Sequence, residues 1–90
     1  KEDLKKVMVR GEVMRLAPSK HNILWLLVKN RGKGFPIHQI YENIGKGEAM
    51  GGDNKVTVHI RHIREKIEIN PKEPRYLKVV WGVGYKIDKN

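Results

Sequence analysis

Between Asn54 and Ile67 the apolar residues Val56, Ile60, Ile63 and Ile67 recur at spacings of three and four. At about 100° per residue they fall on one narrow stripe of a helix, and such a stripe has to be buried. Asn54, Thr57, Val58, Arg61, His62 and Glu65 fall on the opposite side. Asp53 or Asn54 caps the start and Asn70-Pro71 stops the run, which predicts a helix over about residues 54–69. Pro74 holds the following segment in a turn.

The rest of the chain supplies what this helix can pack against. Residues 6–10 and 13–16 read as two short strands joined through Arg10-Gly11-Glu12, with Gly11 supplying the turn. Pro18 suits the first turn of a helix, Ser19 is placed to cap it, and Ile23, Leu24, Leu26 and Leu27 form its buried side as far as about Asn30. Gly32 and Gly34 end it. A shorter helix is expected over residues 36–44, with Pro36 at its start and Ile37, Ile40, Tyr41 and Ile44 at helical spacing. The four glycines of residues 45–52 oppose regular structure and predict a loop. Residues 76–81 and 85–87 flank Gly82-Val83-Gly84, where two glycines permit the positive φ of a tight β-hairpin. The predicted order is ββ-ααα-ββ, an α+β chain forming one domain over residues 1–90.

Ninety residues leave no room for a second core, and 39% hydrophobic content suffices for one. Without cysteine there is neither a disulfide framework nor a thiolate metal site. The longest apolar run, residues 23–28, is far shorter than the roughly 20 residues a membrane helix needs. Residues 1–6 are charged and lack the apolar stretch of a signal peptide. Starting without Met, the chain reads as a piece of a longer protein, soluble and cytoplasmic, with no membrane partner. Nineteen Lys and Arg against 10 Asp and Glu give a formal charge of +9, which makes a polyanion the expected partner, nucleic acid above all. No acid occurs between Val13 and Tyr41, a stretch carrying Arg15, Lys20, Lys29, Arg31 and Lys33. That stretch gains meaning only if another basic element lies beside it; otherwise it is a solvated surface.

The predicted 54–69 helix supplies such an element. B-DNA's major groove admits a helix with a cationic, hydrogen-bonding face. Arg61 can donate a bidentate pair to guanine or grip a phosphate, and Asn54 can do related work at the helix start. Val58 gains nothing from water on that face, but a thymine methyl would suit it. In the terminal hairpin, Lys78 and Lys86 are expected opposite Leu77, Val79, Tyr85 and Ile87. A ribbon with basic flanks can follow a sugar–phosphate ridge while its tip enters the minor groove. A hairpin that merely completes the core would look much the same.

Four segments stand together in one order: Leu16-Ala17-Pro18 before a Leu-rich helix, residues 58–67 (VHIRHIREKI), residues 71–77 (PKEPRYL) and residues 80–85 (VWGVGY). They resemble the OmpR/PhoB-type effector domain of two-component response regulators. The resemblance implies a winged helix-turn-helix with short N-terminal antiparallel strands, three helices and a C-terminal β-hairpin wing over residues 76–87. It implies binding of double-stranded DNA for transcription regulation. The contacts it implies are Asn54, Lys55, Thr57, Val58, His59, Arg61, His62 and Arg64 from the recognition helix, with Lys78 and Trp81 from the wing. It further implies that residues 45–53, with Lys46, Glu48 and Met50, contact RNA polymerase. An upstream receiver domain phosphorylated through a sensor kinase, and head-to-tail dimers on direct repeats, belong to the same picture. The family's N-terminal sheet usually has more strands than the two found here.

Some positions depart from the family's pattern. Asn54 stands where Arg is frequent, Thr57 where Asp is frequent, and His62 where an Arg often contacts DNA. Trp81 occupies a wing-tip position where many members place Arg in the minor groove. His21 replaces a core aromatic and Ala17 a Thr cap. Base preference therefore does not transfer. The fold alone would also permit a winged helix serving protein–protein or RNA contact.

Enzymatic function is not expected. No Ser/His/Asp or paired-carboxylate arrangement is evident, so no catalytic residues are assigned. The glycine-rich loop lacks the Gly-Lys-Ser/Thr ending of a nucleotide-binding loop. His59 and His62 lie three apart without a third ligand, so neither a metal nor another cofactor is expected.

Overall fold

The computed structural model describes residues 6–43 and 53–88, the side chains of residues 53–55 excepted. The loop residues Lys46, Glu48 and Met50, and the side chains of Asn54 and Lys55, thus lie outside the described residues. Elements follow the order β1 (Met8–Val9), β2 (Glu12–Val13), α1 (Pro18–Lys29), β3 (Phe35–Pro36), α2 (Ile37–Tyr41), α3 (Asp53–Ile67), β4 (Leu77–Val80) and β5 (Gly84–Ile87).

In the first hairpin, Arg10 (φ 50°) and Gly11 (φ 82°) both take left-handed conformations. This is the two-residue turn whose twist matches that of paired strands. Glu12 thereby belongs to a strand rather than the loop, and both strands are two residues long, shorter than the pattern predicts. Met14 N–H donates to the Val7 carbonyl at 2.8 Å and extends the pairing by one step.

Helix α1 starts at Pro18 as expected, but Ser19 is buried in its first turn and is not the cap. Ala17 holds the cap position and offers no side-chain acceptor. Pro18 compensates in part, since it has no N–H to leave unsatisfied. Beyond the far end, Gly32 (φ 85°) turns the chain back, and its N–H donates to the Ile87 carbonyl at 2.8 Å.

Residues 35–36 correct the sequence reading. Pro36 does not open α2; its φ of −67° and ψ of 155° are extended. Phe35 and Pro36 instead form a strand antiparallel to β5, with Phe35 opposite Tyr85 and Pro36 opposite Gly84. Proline's fixed φ serves a strand as well as a helix start, so local sequence does not decide between them. In the sheet order β3-β5-β4, Pro36 sits on an edge strand, where a missing donor is tolerated. Helix α2 is correspondingly short, at five residues.

The core joins the three helices to the three-stranded sheet, and Val7, just before β1, adds to it from the N-terminal side. Ile23, Leu24 and Leu27 of α1 meet Ile40 of α2, Val56, Ile60, Ile63 and Ile67 of α3, and Phe35, Leu77 and Ile87 of the sheet. Leu26, expected in the core, is only half-buried.

Helix α3 stops at Ile67, before the Asn70-Pro71 signal. There Glu68 turns inward, only 5% exposed, and its carboxylate accepts N–H bonds from Arg75 (2.7 Å), Tyr76 (3.0 Å) and Leu77 (2.9 Å). Three successive amides at the start of the wing are thus held by one side chain at the end of α3. Asn70 and Pro71 fall in the intervening turn, where Asn70 Oδ1 accepts from the Lys72 N–H at 3.1 Å.

Candidate nucleic-acid interface

Helix α3 divides cleanly into two faces. Its stripe of Val56, Ile60, Ile63 and Ile67 is essentially inaccessible, while Thr57, Val58, Arg61, Glu65 and Lys66 are exposed and His62 is half-buried. Val58 is 40% exposed on the outward face, as its place in the helical pattern requires.

Two residues expected to touch DNA behave differently. His59 is 4% exposed and lies on the core side of α3. Position 59 falls three after Val56 and four before Ile63, so helical geometry turns it inward whatever its polarity. A side chain so buried cannot reach a groove, and His59 leaves the contact set. Arg64 is largely committed within the fold. Its Nε and Nη2 donate to the Leu77 carbonyl at 3.2 and 3.0 Å, and its guanidinium lies 5.8 Å from the centre of the Tyr85 ring. Arg64 therefore positions the wing against α3. Sequence patterning contains no signal for this bond, which spans 13 positions.

The wing pairs Leu77 with Ile87, Lys78 with Lys86, Val79 with Tyr85 and Val80 with Gly84. Lys78 and Lys86 fall opposite Leu77 and Ile87, as expected, but both reach Asp88, at 3.5 and 3.4 Å. These partly exposed ion pairs stabilise little, yet they hold both ammonium groups at the base of the wing. Val80, Trp81, Gly82 (φ 77°) and Val83 make the tip, closed by a 2.9 Å bond from Val83 N–H to the Val80 carbonyl. Trp81 is 92% exposed.

A groove lined by Thr57, Arg61, Arg64, Lys72 and Tyr85 runs between the outward side of α3 and the wing. On the other side of α3, Arg15 and Lys20 share a hollow with His62, Glu65 and Lys66. The acid-free stretch thus does place cations beside the recognition face. It is not one patch, however: Lys29 lines a hollow with Trp25 and Asn43, and Arg31 one with Lys6 and Arg10. Among the described residues, no group of three or more His, Cys, Asp or Glu is placed to hold a metal ion. No described helix is long and apolar enough to cross a membrane.

A third helix seated on the core with one polar face outward, beside a C-terminal hairpin, defines a winged helix-turn-helix domain. The chain belongs to the family described as "Transcriptional regulatory protein, C terminal", whose model matches residues 11–87, and is of the OmpR/PhoB effector type. Among curated relatives it is 40% identical over 77 residues to the regulatory protein VanR of Enterococcus faecium, covering 84% of this chain and 33% of that protein. It is 38% identical over 81 residues to the uncharacterized transcriptional regulatory protein YcbL of Bacillus subtilis, covering 90% and 36%. The chain spans about a third of the length of these relatives. Among solved structures, the response regulator DrrB of Thermotoga maritima, an OmpR/PhoB homolog, superposes with a TM-score of 0.79 at 31% identity, over 92% of this chain and 37% of that one. The DNA-binding domain of Klebsiella pneumoniae RstA, solved in complex with the RstA box, gives 0.73 at 27% identity, over 94% and 84%. The family is one of transcription-factor domains rather than of enzymes.

Proposed function

We propose that this domain binds double-stranded DNA sequence-specifically to regulate transcription, with α3 in the major groove and the wing at the adjacent minor groove. One observation carries the assignment of roles: the outward face of α3 presents Thr57, Val58 and Arg61, while Arg15 and Lys20 flank it on one side and Lys72, in the turn before the wing, on the other. Arg61 is the primary base-reading side chain, Val58 meets a thymine methyl, and Thr57 and His62 contact the bases or the nearby backbone. Arg15, Lys20 and Lys66 meet phosphates. Asn54 and Lys55, at the start of α3, complete the contact set. The membership of a response-regulator family supports a full-length cytoplasmic protein with a receiver domain and a sensor kinase upstream. It also supports head-to-tail dimers on direct repeats and contact of residues 45–53, through Lys46, Glu48 and Met50, with RNA polymerase.

Selection of bound duplexes from random DNA, followed by titration of a recovered site against salt, tests this reading. About five to eight phosphate contacts give a log–log slope of roughly −4 to −7. Arg61→Ala weakens the recovered site by about 1–3 kcal/mol without unfolding the domain. Ile63→Ala instead costs about 2–5 kcal/mol of stability, because its side chain is wholly buried. Enrichment of no sequence would favour a module for protein or RNA contact, and a slope near zero with binding intact would overturn the electrostatic picture.

A further inference from the structure

The wing tip is apolar on a chain whose formal charge is +9. Trp81 is 92% exposed, and beside it Val79 and Val83 are 50% and 46% exposed. The wing's two lysines do not cover this cluster, since both are drawn to Asp88 at the opposite end of the strands. The cluster is also held in place. Gly34 packs close under the tip, with room for no more than contact to Val80 and Val83, and the Val80–Val83 turn closes its own hydrogen bond. An exposed apolar group on a rigid support marks a contact with something outside the chain.

Its place in the fold selects the partner. Val79 is opposite Tyr85, and the Tyr85 ring takes the Arg64 guanidinium and lines the groove shared with Thr57 and Arg61. The tip therefore continues the surface of the proposed major-groove face, along the wing. We propose that Trp81, flanked by Val79 and Val83, is an apolar wedge that packs on the sugars and base edges of the minor groove and reads DNA by its deformability. This rests on the DNA-binding reading and adds a rule of specificity to it. A cation at such a tip is drawn by the negative potential of narrow A-tracts. An indole with two valines gains by excluding water from sugar faces and by opening a base step, which is easiest at TA and CA/TG steps. Sites for this domain therefore carry a flexible pyrimidine–purine step beside the α3 contact, not an A-tract.

The chain has two tryptophans, so Trp25→Phe leaves Trp81 as the sole indole. A fluorescein-labelled duplex recovered by random selection reports binding through anisotropy, while acrylamide quenching reports the exposure of Trp81. At saturation the indole emission shifts to the blue and quenching falls several-fold. If Trp25→Phe does not fold, the difference between wild-type and Trp81→Phe emission isolates the same signal. Trp81→Ala weakens the complex roughly 5- to 30-fold, and Trp81→Phe keeps most of the affinity. Repeating the selection with Trp81→Arg moves enrichment beside the site from TA and CA/TG steps to A-tracts. Unchanged quenching at saturated anisotropy overturns the wedge while leaving DNA binding standing. Shielding of Trp81 in DNA-free protein as concentration rises overturns it in favour of a second copy as the partner. Absence of duplex binding at every salt concentration removes the DNA reading itself.

Discussion

The two terminal hairpins start from similar local chemistry and end as different structures. Each turns through a glycine with positive φ, Gly11 in one and Gly82 in the other. The first pairs only two residues per strand, and its facing partners Met8 and Val13 remain 59% and 42% exposed. It is tied to the body mainly by buried Val7 and by a 2.9 Å bond from Arg10 Nη1 to the Ile67 carbonyl. The second pairs four residues per strand, with Leu77 and Ile87 fully buried. A third strand lies on its edge, Glu68 holds its leading amides, and Arg64 holds the Leu77 carbonyl. A turn sequence makes a hairpin possible; the face and edge it finds in the fold decide how far the pairing runs. The same contrast bears on the proposed function, in which only the second hairpin has to hold a contact surface still.

The largest expected effect breaks the wing at its edge. A Cβ on Gly84 would overlap the Phe35 carbonyl oxygen and lie 3.0 Å from the Phe35 carbonyl carbon and the Pro36 Cα. Those atoms are backbone and cannot rotate away. Gly84→Ala therefore costs about 3 kcal/mol or more, beyond ordinary overpacking, and detaches β3. Urea denaturation measures the loss, and slowed-exchange amides should vanish from Phe35 and residues 84–85 first. A change under about 1 kcal/mol would mean that β3 contributes little to holding the wing.

Next comes the link between α3 and the wing. Glu68→Ala leaves three amides without their acceptor, one of them fully buried, and costs about 2–4 kcal/mol. Glu68→Gln should recover part of this, because its carbonyl oxygen still accepts. DNA affinity should fall further than the loss of folded protein explains, since the angle between wing and recognition helix is no longer set. Affinity that tracks the folded fraction alone would assign Glu68 to stability only.

The two turn glycines sharpen the comparison directly. Alanine at either would be forced into positive φ, with nothing within 4 Å to clash, so each substitution costs about 1–2 kcal/mol of strain. Their effects on DNA binding should separate: Gly82→Ala moves Trp81 and weakens binding, while Gly11→Ala leaves affinity unchanged once stability is allowed for. The smallest effect is expected for Arg10→Ala, about 1 kcal/mol, because its bond to Ile67 is only partly buried and its partner carbonyl can be hydrated. Thermal melts of the three variants beside wild type are sufficient to rank them.

What the sequence determined by itself was local. The 3.6-residue period of α3 placed Val56, Ile60, Ile63 and Ile67 inward and Thr57, Val58 and Arg61 outward, because the geometry of one helix suffices for that assignment. Pro18 marked a helix start and Gly11 a turn, through φ preferences that belong to single residues. His59 was legible by the same period, which leaves it off the outward face; the family resemblance, not its position, put it among the contacts. Tertiary structure decided what depends on partners distant in sequence. Pro36 has the same φ in a helix start and in a strand, and only β5 lying alongside made it strand. Gly84 resembles a turn glycine, yet what it needs is space for the Phe35 carbonyl, not positive φ. Glu68 and Arg64 look like surface charges on a helix until the wing folds back and offers them amides and a carbonyl. The pull of Lys78 and Lys86 onto Asp88, which leaves an apolar tip on a basic protein, likewise arises only once β4 and β5 stand in register.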